Sequence, residues 1–427
     1  METSRISRLG LVGVLFMLFS FSLLAQTNFT EYSGKVIDAK TKKVIESASL
    51  SIENSNIGTI SNADGDFVLK VPSNFLSSNV IISLLGYETK VLKLSEWSTS
   101  ENTIRLNSAT TQLQPVNITA FKDAENLVRM VFKDKNKNVL KSPLYMTAFY
   151  RETIKRRNRN VSLTEAVVNI LKQPLSSSKR DAILLNKARK STDYKRLDTV
   201  SVKLQGGPFS TIHLDIMKYP EYIFTDVALN SYEFTFGPST TIDDKNVYVV
   251  NFKPKNNVLN LNYTGQLFID PNALTLVSAD YSLDLSNKSK TRNLLVKKKP
   301  RSVVVYPLEA NYKVDYKMKD GKWYYNYSSL FLKFKVKKKR QLFNKVYSLA
   351  SEMAVTDWEE RTEDITINLK DRLKPTIIIA DEISGFSDPN FWGEYNLIEP
   401  DKSIEIAIEK IRKNIEKQQQ KESSRHP

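Results

Sequence analysis

Residues 312–319 read Tyr-Lys-Val-Asp-Tyr-Lys-Met-Lys, so Tyr312, Val314, Tyr316 and Met318 fall on one side of an extended chain and Lys313, Asp315, Lys317 and Lys319 on the other. A period of two belongs to a strand, because successive side chains of an extended backbone point to opposite faces. Asp320-Gly321 follows, a dipeptide that turns a hairpin. The return strand runs through Tyr325 and Tyr327, expected on one face, and later sets Leu330, Leu332, Phe334 and Val336 against Phe331, Lys333, Lys335 and Lys337. Long antiparallel strands with one apolar and one wet face are therefore expected. Residues 265–270, the Pro271-Asn272 turn and residues 274–283 form a second hairpin.

The opening of the chain sets the compartment. Arg5 and Arg8 precede an apolar run over residues 9–24, shorter than the about 20 residues a spanning helix needs, and the pattern predicts a secretory signal peptide over residues 1–25. With no cysteine among 427 residues, an N-terminal lipid anchor, a disulfide, a thiolate nucleophile and a cysteine zinc site are all excluded. The net charge is +16. In an exported protein that excess meets phospholipid headgroups, lipopolysaccharide phosphates or acidic protein partners, and nucleic acid is not expected. A solvated basic surface is the equal alternative.

Residues 32–106 read as short strands separated by turns, the spacing of a β-sandwich. Gly34, Val36, Asp38, Thr41, Val44, Ala48, Ser49, Ile52, Gly58, Thr59, Asp64, Gly65, Phe67, Ser83, Gly86 and Tyr87 occur in the order that resembles the carboxypeptidase-like regulatory domain. The resemblance implies a small transthyretin-like sandwich of an envelope protein and carries no peptidase chemistry. Each residue also has a local reason: Gly58 and Gly65 suit turns of positive φ, and Asp64 can accept from the amides that follow it.

Residues 113–120 are expected to close this domain, and residues 123–132 place Ala124, Leu127, Val128, Val131 and Phe132 at helical spacing behind an Asp123 cap. From Tyr145 strands resume, in a region that resembles uncharacterised envelope proteins pairing the regulatory domain with a second β-rich part. The 265–283 hairpin is similar to strand pairs of lipoprotein-carrier half-barrels. Residues 173–194 read as a loop or weak helix, and Pro400 is expected to open a helix with Ile404, Ile408, Ile411 and Ile415 on one stripe before a tail beyond Gln418. The expected organisation is a signal peptide (1–25), a regulatory sandwich (30–120), a helical linker (121–142), a larger antiparallel curved sheet or half-barrel (143–385) and a C-terminal segment (386–427).

Chemistry has little material. Only His213 and His426 exist; His426 is next to last, and His213, between Ile212 and Leu214 in strand-like alternation, is expected to be structural. Asn62, Asp64 and Asp66 supply oxygens that suit calcium, but their spacing favours a plain turn. Glu152 and Glu165 would serve a hydrolase only if they flanked one substrate, and strand-end salt bridges are preferred. Three basic clusters remain: residues 155–159 with Arg156 and Arg157, Lys297, Lys298 and Lys299, and residues 333–340 with Lys337, Lys338, Lys339 and Arg340. The first two read as hairpin tips, and tips sharing one sheet end would make a cationic rim for anionic headgroups.

The sequence thus predicts a mainly β, non-enzymatic accessory or binding protein without cofactor or metal. It is expected in the periplasm or on the periplasmic face of the outer membrane of a Gram-negative envelope. An envelope protein partner is expected, an outer-membrane β-barrel complex or an anionic lipid surface among the candidates. The alternatives are a lipid or acyl-chain carrier with a half-barrel cavity and, less favoured, a carboxylate-dependent hydrolase.

Overall fold

Residues 29–109 form seven strands: β1 (Phe29–Asp38), β2 (Ser49–Ile52), β3 (Gly58–Ile60), β4 (Asp66–Pro72), β5 (Asn79–Ser83), β6 (Lys90–Lys93) and β7 (Asn102–Leu106). The computed structural model describes residues 29–109, 123–137, 139–157, 159–192, 204–243, 245–255, 262–296, 299, 301–338, 344–361, 367–368, 370–382, 391–406 and 408–409. The expected signal peptide, the 113–120 strand and the tail beyond Gln418 lie outside them.

One sheet runs β4-β1-β7 and the other β3-β2-β5-β6. Every second residue faces the space between them, so Val36, Phe67, Leu69 and Ile104 of the first sheet meet Leu50, Ile52, Val80 and Ile82 of the second in one buried cluster. Each such side chain contributes roughly 1.5–3 kcal/mol on burial. Gly65, at φ +77, closes the turn before β4, and a Cβ there would stand 2.7 Å from the Val36 carbonyl oxygen. Gly58 does not have positive φ; it starts β3 where a Cβ would come 2.7 Å from the Leu50 carbonyl, so close approach is its reason. The turn amides of Asp64 and Asp66 donate to Asn62 Oδ1 at 2.9 and 2.8 Å, so Asn62, and not Asp64, bonds the turn.

The second region holds β8 (Leu144–Arg156), β9 (Arg159–Lys172), β10 (Ala182–Thr192), β11 (Tyr232–Phe236), β12 (Thr240–Ile242), β13 (Lys245–Pro254), β14 (Tyr263–Asp270), β15 (Thr275–Leu283), β16 (Val303–Lys319), β17 (Lys322–Lys338) and β18 (Lys345–Glu360). They form an eleven-stranded antiparallel sheet in the order β10-β9-β8-β18-β17-β16-β15-β14-β13-β11, with β12 on β13. The fold is mainly β, with a large antiparallel sheet behind an N-terminal β domain. The helix Ala124–Lys133, capped by Asp123 Oδ1 on the Asn126 amide at 2.7 Å, and segment 204–229 cover one face. Ile183 of β10 and Phe234 of β11, from opposite margins of the sheet, share that core, so the sheet wraps around its covering.

Three features differ from the sequence reading. Residues 182–192 form β10 where a loop or weak helix was expected. Tyr325 and Tyr327 lie on opposite faces: Tyr316 pairs with Tyr325 and Asp315 with Tyr327, so Asn326 is an extra residue and the bulge reverses the alternation. The wet face of the β16–β17 hairpin is partly covered, because the sandwich docks on it: Lys317 Nζ donates to Ser49 Oγ at 3.0 Å and Lys319 Nζ to Asn56 Oδ1. The hairpin turn itself has the expected form, with Asp320 at φ 50 and Gly321 at φ 76.

Residues 391–400 run between the two regions as a strap. Trp392 and Ile398 pack with Ile60 of the sandwich and with Phe149, Val167, Tyr327 and Ala354 of the sheet. Asn396 Oδ1 accepts from the Lys70 amide at 2.7 Å while its Nδ2 donates to the Lys70 carbonyl at 3.1 Å, so one side chain imitates a strand partner for the edge of β4. Of the described residues that follow, 402–406 and 408–409 are helical; Asp401 Oδ1 accepts from the Ile404 amide at 2.8 Å, so Asp401 caps the helix after Pro400. Ile404 is buried, and Ile411 and Ile415 lie outside the described residues.

Candidate functional site

Register builds a row of polar side chains across seven strands on the face turned to the strap. Asp280 of β15 stands opposite Lys313, Lys313 opposite Ser329, Ser329 opposite Glu352, Glu352 opposite Arg151, Arg151 opposite Glu165 and Glu165 opposite Arg189. Facing residues of neighbouring strands lie about 5 Å apart, close enough for each charge to meet its neighbour. Arg151 Nε donates to Glu165 Oε1 at 2.9 Å, Arg189 Nε to Glu165 Oε2 at 2.6 Å, and Arg151 Nη1 lies 3.3 Å from Glu352. Arg151 Nη2 also donates to the Ile398 carbonyl of the strap at 2.6 Å, and the Arg189 guanidinium lies over Trp392 at 5.0 Å. Burial works to raise the Glu165 carboxyl, but Arg151 and Arg189 together overcome it and hold the group below its usual range.

Along the Asp280–Glu352 part of the row a cleft of about 580 Å³ is lined by both sandwich and sheet. Its floor is Asn311, Lys313, Ser329 and Phe331, its far wall Glu46 and Asn62 of the sandwich, and Asp401 stands at its end. The Asp315 carboxylate, 3.2 Å away, raises Lys313 above its ordinary value, so this ammonium cannot act as a base on Ser329. Lys317 is different: burial pushes it down to about 8, beside the Ser49 hydroxyl. Ser49 lies in β2, however, paired with β3 on one side and β5 on the other, a ladder position that, among the described residues, offers no open turn of amides to stabilise an oxyanion.

Glu152 and Glu165 are not a pair, nor are they strand-end groups. Alternation sends Glu165 to the strap face and Glu152, with Tyr150, to the opposite face, where Tyr150 Oη donates to Glu152 Oε2 at 3.0 Å. Burial, with Asp381 adding to it, pushes Glu152 up to about 7. No substrate can be flanked by carboxylates on two faces of a sheet. Near the far end of β9, Lys172 Nζ lies 2.7 Å from Asp181 and 2.6 Å from Asp215, a second buried ion cluster. His213 ends a short helix, Phe209–Ile212, and packs between Phe209 and Tyr219, where strand alternation had been expected.

In the Asn62 turn the oxygens are engaged: Asn62 Oδ1 by two amides, Asp66 by Lys35 Nζ at 2.6 Å and Asp64 Oδ2 by the Lys402 amide at 2.9 Å. The apolar pocket beside Trp323 holds about 40 Å³, far below what an acyl chain fills among the described residues.

Of the basic residues singled out, Arg156 ends β8, Arg157 (φ 48) sits in the β8–β9 turn, and Lys337 and Lys338 end β17. Lys299 precedes β16 and donates to the Val303 carbonyl at 2.8 Å. Lys297, Lys298, Lys339 and Arg340 lie outside the described residues. Lys299 is not at a hairpin tip: a helix, Lys288–Leu295, separates β15 from β16, started by Asn287 Oδ1 accepting from the Lys290 amide at 3.1 Å. Register nevertheless brings these segments to one end of the sheet, since Arg156 faces Tyr347, Lys345 faces Val336 and Lys338 faces Val303. From β8 to β16 is three strand spacings, about 15 Å. The helix adds Lys288, Lys290 and Arg292 there, which the sequence reading missed; their signal was the Asn287 cap.

The architecture is that of a two-part β protein with a small sandwich docked on a large sheet. Residues 32–118 match the model of the CarboxypepD_reg-like domain, and the β-rich region follows it. No curated protein matches the chain. Among solved structures it is similar to a DUF1329 family protein from Desulfovibrio piger ATCC 29098, at 10% identity and a TM-score of 0.23, over 57% of this chain and 95% of that one. That score is too low to carry an inference. No enzyme family is indicated by these matches.

Proposed function

We propose that the chain is a non-enzymatic accessory protein of a Gram-negative envelope, exported by its N-terminal segment and resident at the periplasmic face of the outer membrane, where its cationic sheet end meets anionic lipid headgroups. One observation supports it above the others: the register of β8, β18, β17 and β16 gathers basic segments distant in sequence at one sheet end. The non-enzymatic half draws support from the polar face, where Arg151, Glu165, Arg189 and Glu352 engage one another and the Lys317–Ser49 contact sits within a paired ladder. The regulatory-like sandwich is then a docking element held on the sheet by the strap.

Flotation with phosphatidylcholine vesicles, with and without phosphatidylglycerol, tests the reading. Binding should need the anionic lipid and fall as salt shortens screening from about 10 Å at 0.1 M to about 3 Å at 1 M. Neutralising Arg156, Arg157, Lys337 and Lys338 to Gln together should weaken it about 1,000-fold, at about 1 kcal/mol per cation. Equal binding to neutral and anionic vesicles removes the lipid reading. Capture of an envelope protein that needs the same four cations would move the partner to that protein.

A further inference from the structure

At the opposite end of β9 from Arg159, a cleft of about 500 Å³ is lined by Leu171, Phe209, Leu373 and Pro375 together with Lys179, Arg180 and Arg372. Its one carboxylate is Asp181, and that group is fully engaged. Asp181 Oδ1 accepts from the Gln173 amide at 2.7 Å, and Oδ2 accepts from Lys172 Nζ at 2.7 Å and Tyr219 Oη at 2.8 Å. Lys179, Arg180 and Arg372 have no ion pair among the described residues, so the described lining sets three cations beside one carboxylate that is already engaged. Arg372 is also fixed: one Nη donates to the Ile367 carbonyl at 2.9 Å, while its Nε is shut off from solvent and meets no acceptor among the described residues. A guanidinium held by one nitrogen, with its neighbours directed elsewhere, suits a planar or tetrahedral oxyanion.

From this geometry we infer that the cleft binds an anionic amphiphile, its phosphate head on Arg372, Arg180 and Lys179 and its apolar part on Phe209, Leu171 and Leu373. The site stands at the other end of the sheet from the cationic rim and does not depend on it. Phosphate and a short apolar chain are the shared chemistry, whether the head belongs to a membrane lipid or to a soluble phosphate ester.

Hexyl phosphate titrated calorimetrically into the full chain should bind saturably at one site, more tightly than inorganic phosphate, while hexyl glucoside should not bind. Arg372→Ala and Arg180→Ala should each weaken hexyl phosphate about tenfold or more. Arg180 is exposed, so its variant keeps the test sound if Arg372→Ala lowers the unfolding temperature. Lys337→Gln with Lys338→Gln should leave binding unchanged. Displacement by phosphatidylglycerol vesicles would name a membrane lipid as the source of the head, and its absence a soluble ester; either keeps the site. Three results would each overturn the inference: no saturable binding, affinity unchanged in both arginine variants, or equal affinity for inorganic phosphate or hexyl glucoside.

Discussion

In the sandwich the two sheets bury their apolar faces on one another, and Leu50, Phe67, Leu69, Val80 and Ile82 close that core without help from the rest of the chain. In the eleven-stranded sheet one face is treated that way, under the 124–133 helix and segment 204–229, and the other keeps a smaller apolar patch, Phe149, Val167, Tyr327 and Ala354 under Trp392 and Ile398. Its other face buries Arg151, Glu165 and Arg189 beneath the strap. Both regions are built by the same alternation, yet what is buried differs. An apolar face tolerates many arrangements of similar volume, whereas a buried charged row holds only when every member meets its opposite across the correct register. The sandwich core therefore favours collapse, and the row favours one register.

The sharpest test of that difference is Glu165→Gln, which leaves Arg151 and Arg189 buried without their shared carboxylate. Removing one member of a buried ion group costs about 3–5 kcal/mol. Leu69→Ala in the sandwich should cost a similar about 2–5 kcal/mol through its cavity, so single variants do not separate the regions. The compensated change does: Arg151→Met, Glu165→Leu and Arg189→Met together should cost less than Glu165→Gln alone, measured by urea unfolding. A triple variant weaker than the single one would show that the row contributes net stability, and the contrast with the sandwich would fail.

The next test compares the two faces of the sheet through pH. Glu165, held below its usual value of 4.5, contributes stability that is present above that value and lost as pH falls through the folded one. Glu152 has the opposite sign. Its folded state, pushed up to about 7 by burial, binds a proton that the unfolded chain has released, so stability falls as pH rises from 4.5 to about 7. Glu152→Gln should then raise stability at pH 8 by up to roughly 3 kcal/mol and change little at pH 4. Equal effects at both pH values in urea titrations would mean that Glu152 is ionised in the fold, and that the two faces treat carboxylates alike.

What the sequence made legible follows the same division. The β16–β17 hairpin is plain in its alternation and in Asp320-Gly321, because the information is local. β10 was not legible: Asn186-Lys187-Ala188-Arg189-Lys190 has the composition of a loop, and it forms a strand because register against β9 sets Arg189 on Glu165. The partners of the row are up to hundreds of positions apart, Arg151 and Glu352 among them, and no spacing along the chain announces them. The basic segments were visible one by one, but their meeting at one end is a product of strand order. His213 was misread as part of a strand because three residues of apolar alternation are too short to distinguish it from one helical turn.

Where the two regions meet, Asn396 offers the smallest and most local test. Its amide fills both the donor and the acceptor of Lys70 on the edge of β4, and Asn396→Ala would leave the buried Lys70 amide without an acceptor. The expected cost is about 1–3 kcal/mol, with faster hydrogen exchange at the Lys70 amide. Asn396→Asp should retain the acceptor for that amide and lose only the bond to the carbonyl, so exchange at Lys70 should stay slow. If the Lys70 amide exchanged at the native rate in Asn396→Ala, the strap would be holding the sandwich by Trp392, Ile398 and its other hydrogen bonds, Thr59 Oγ1 to the Leu397 carbonyl at 2.7 Å and Asn62 Nδ2 to the Glu399 carbonyl at 3.1 Å among them. The edge of β4 would then need no partner from the other region, and the Asn396 pairing would add nothing to the remaining contacts that join strap and sandwich at that margin.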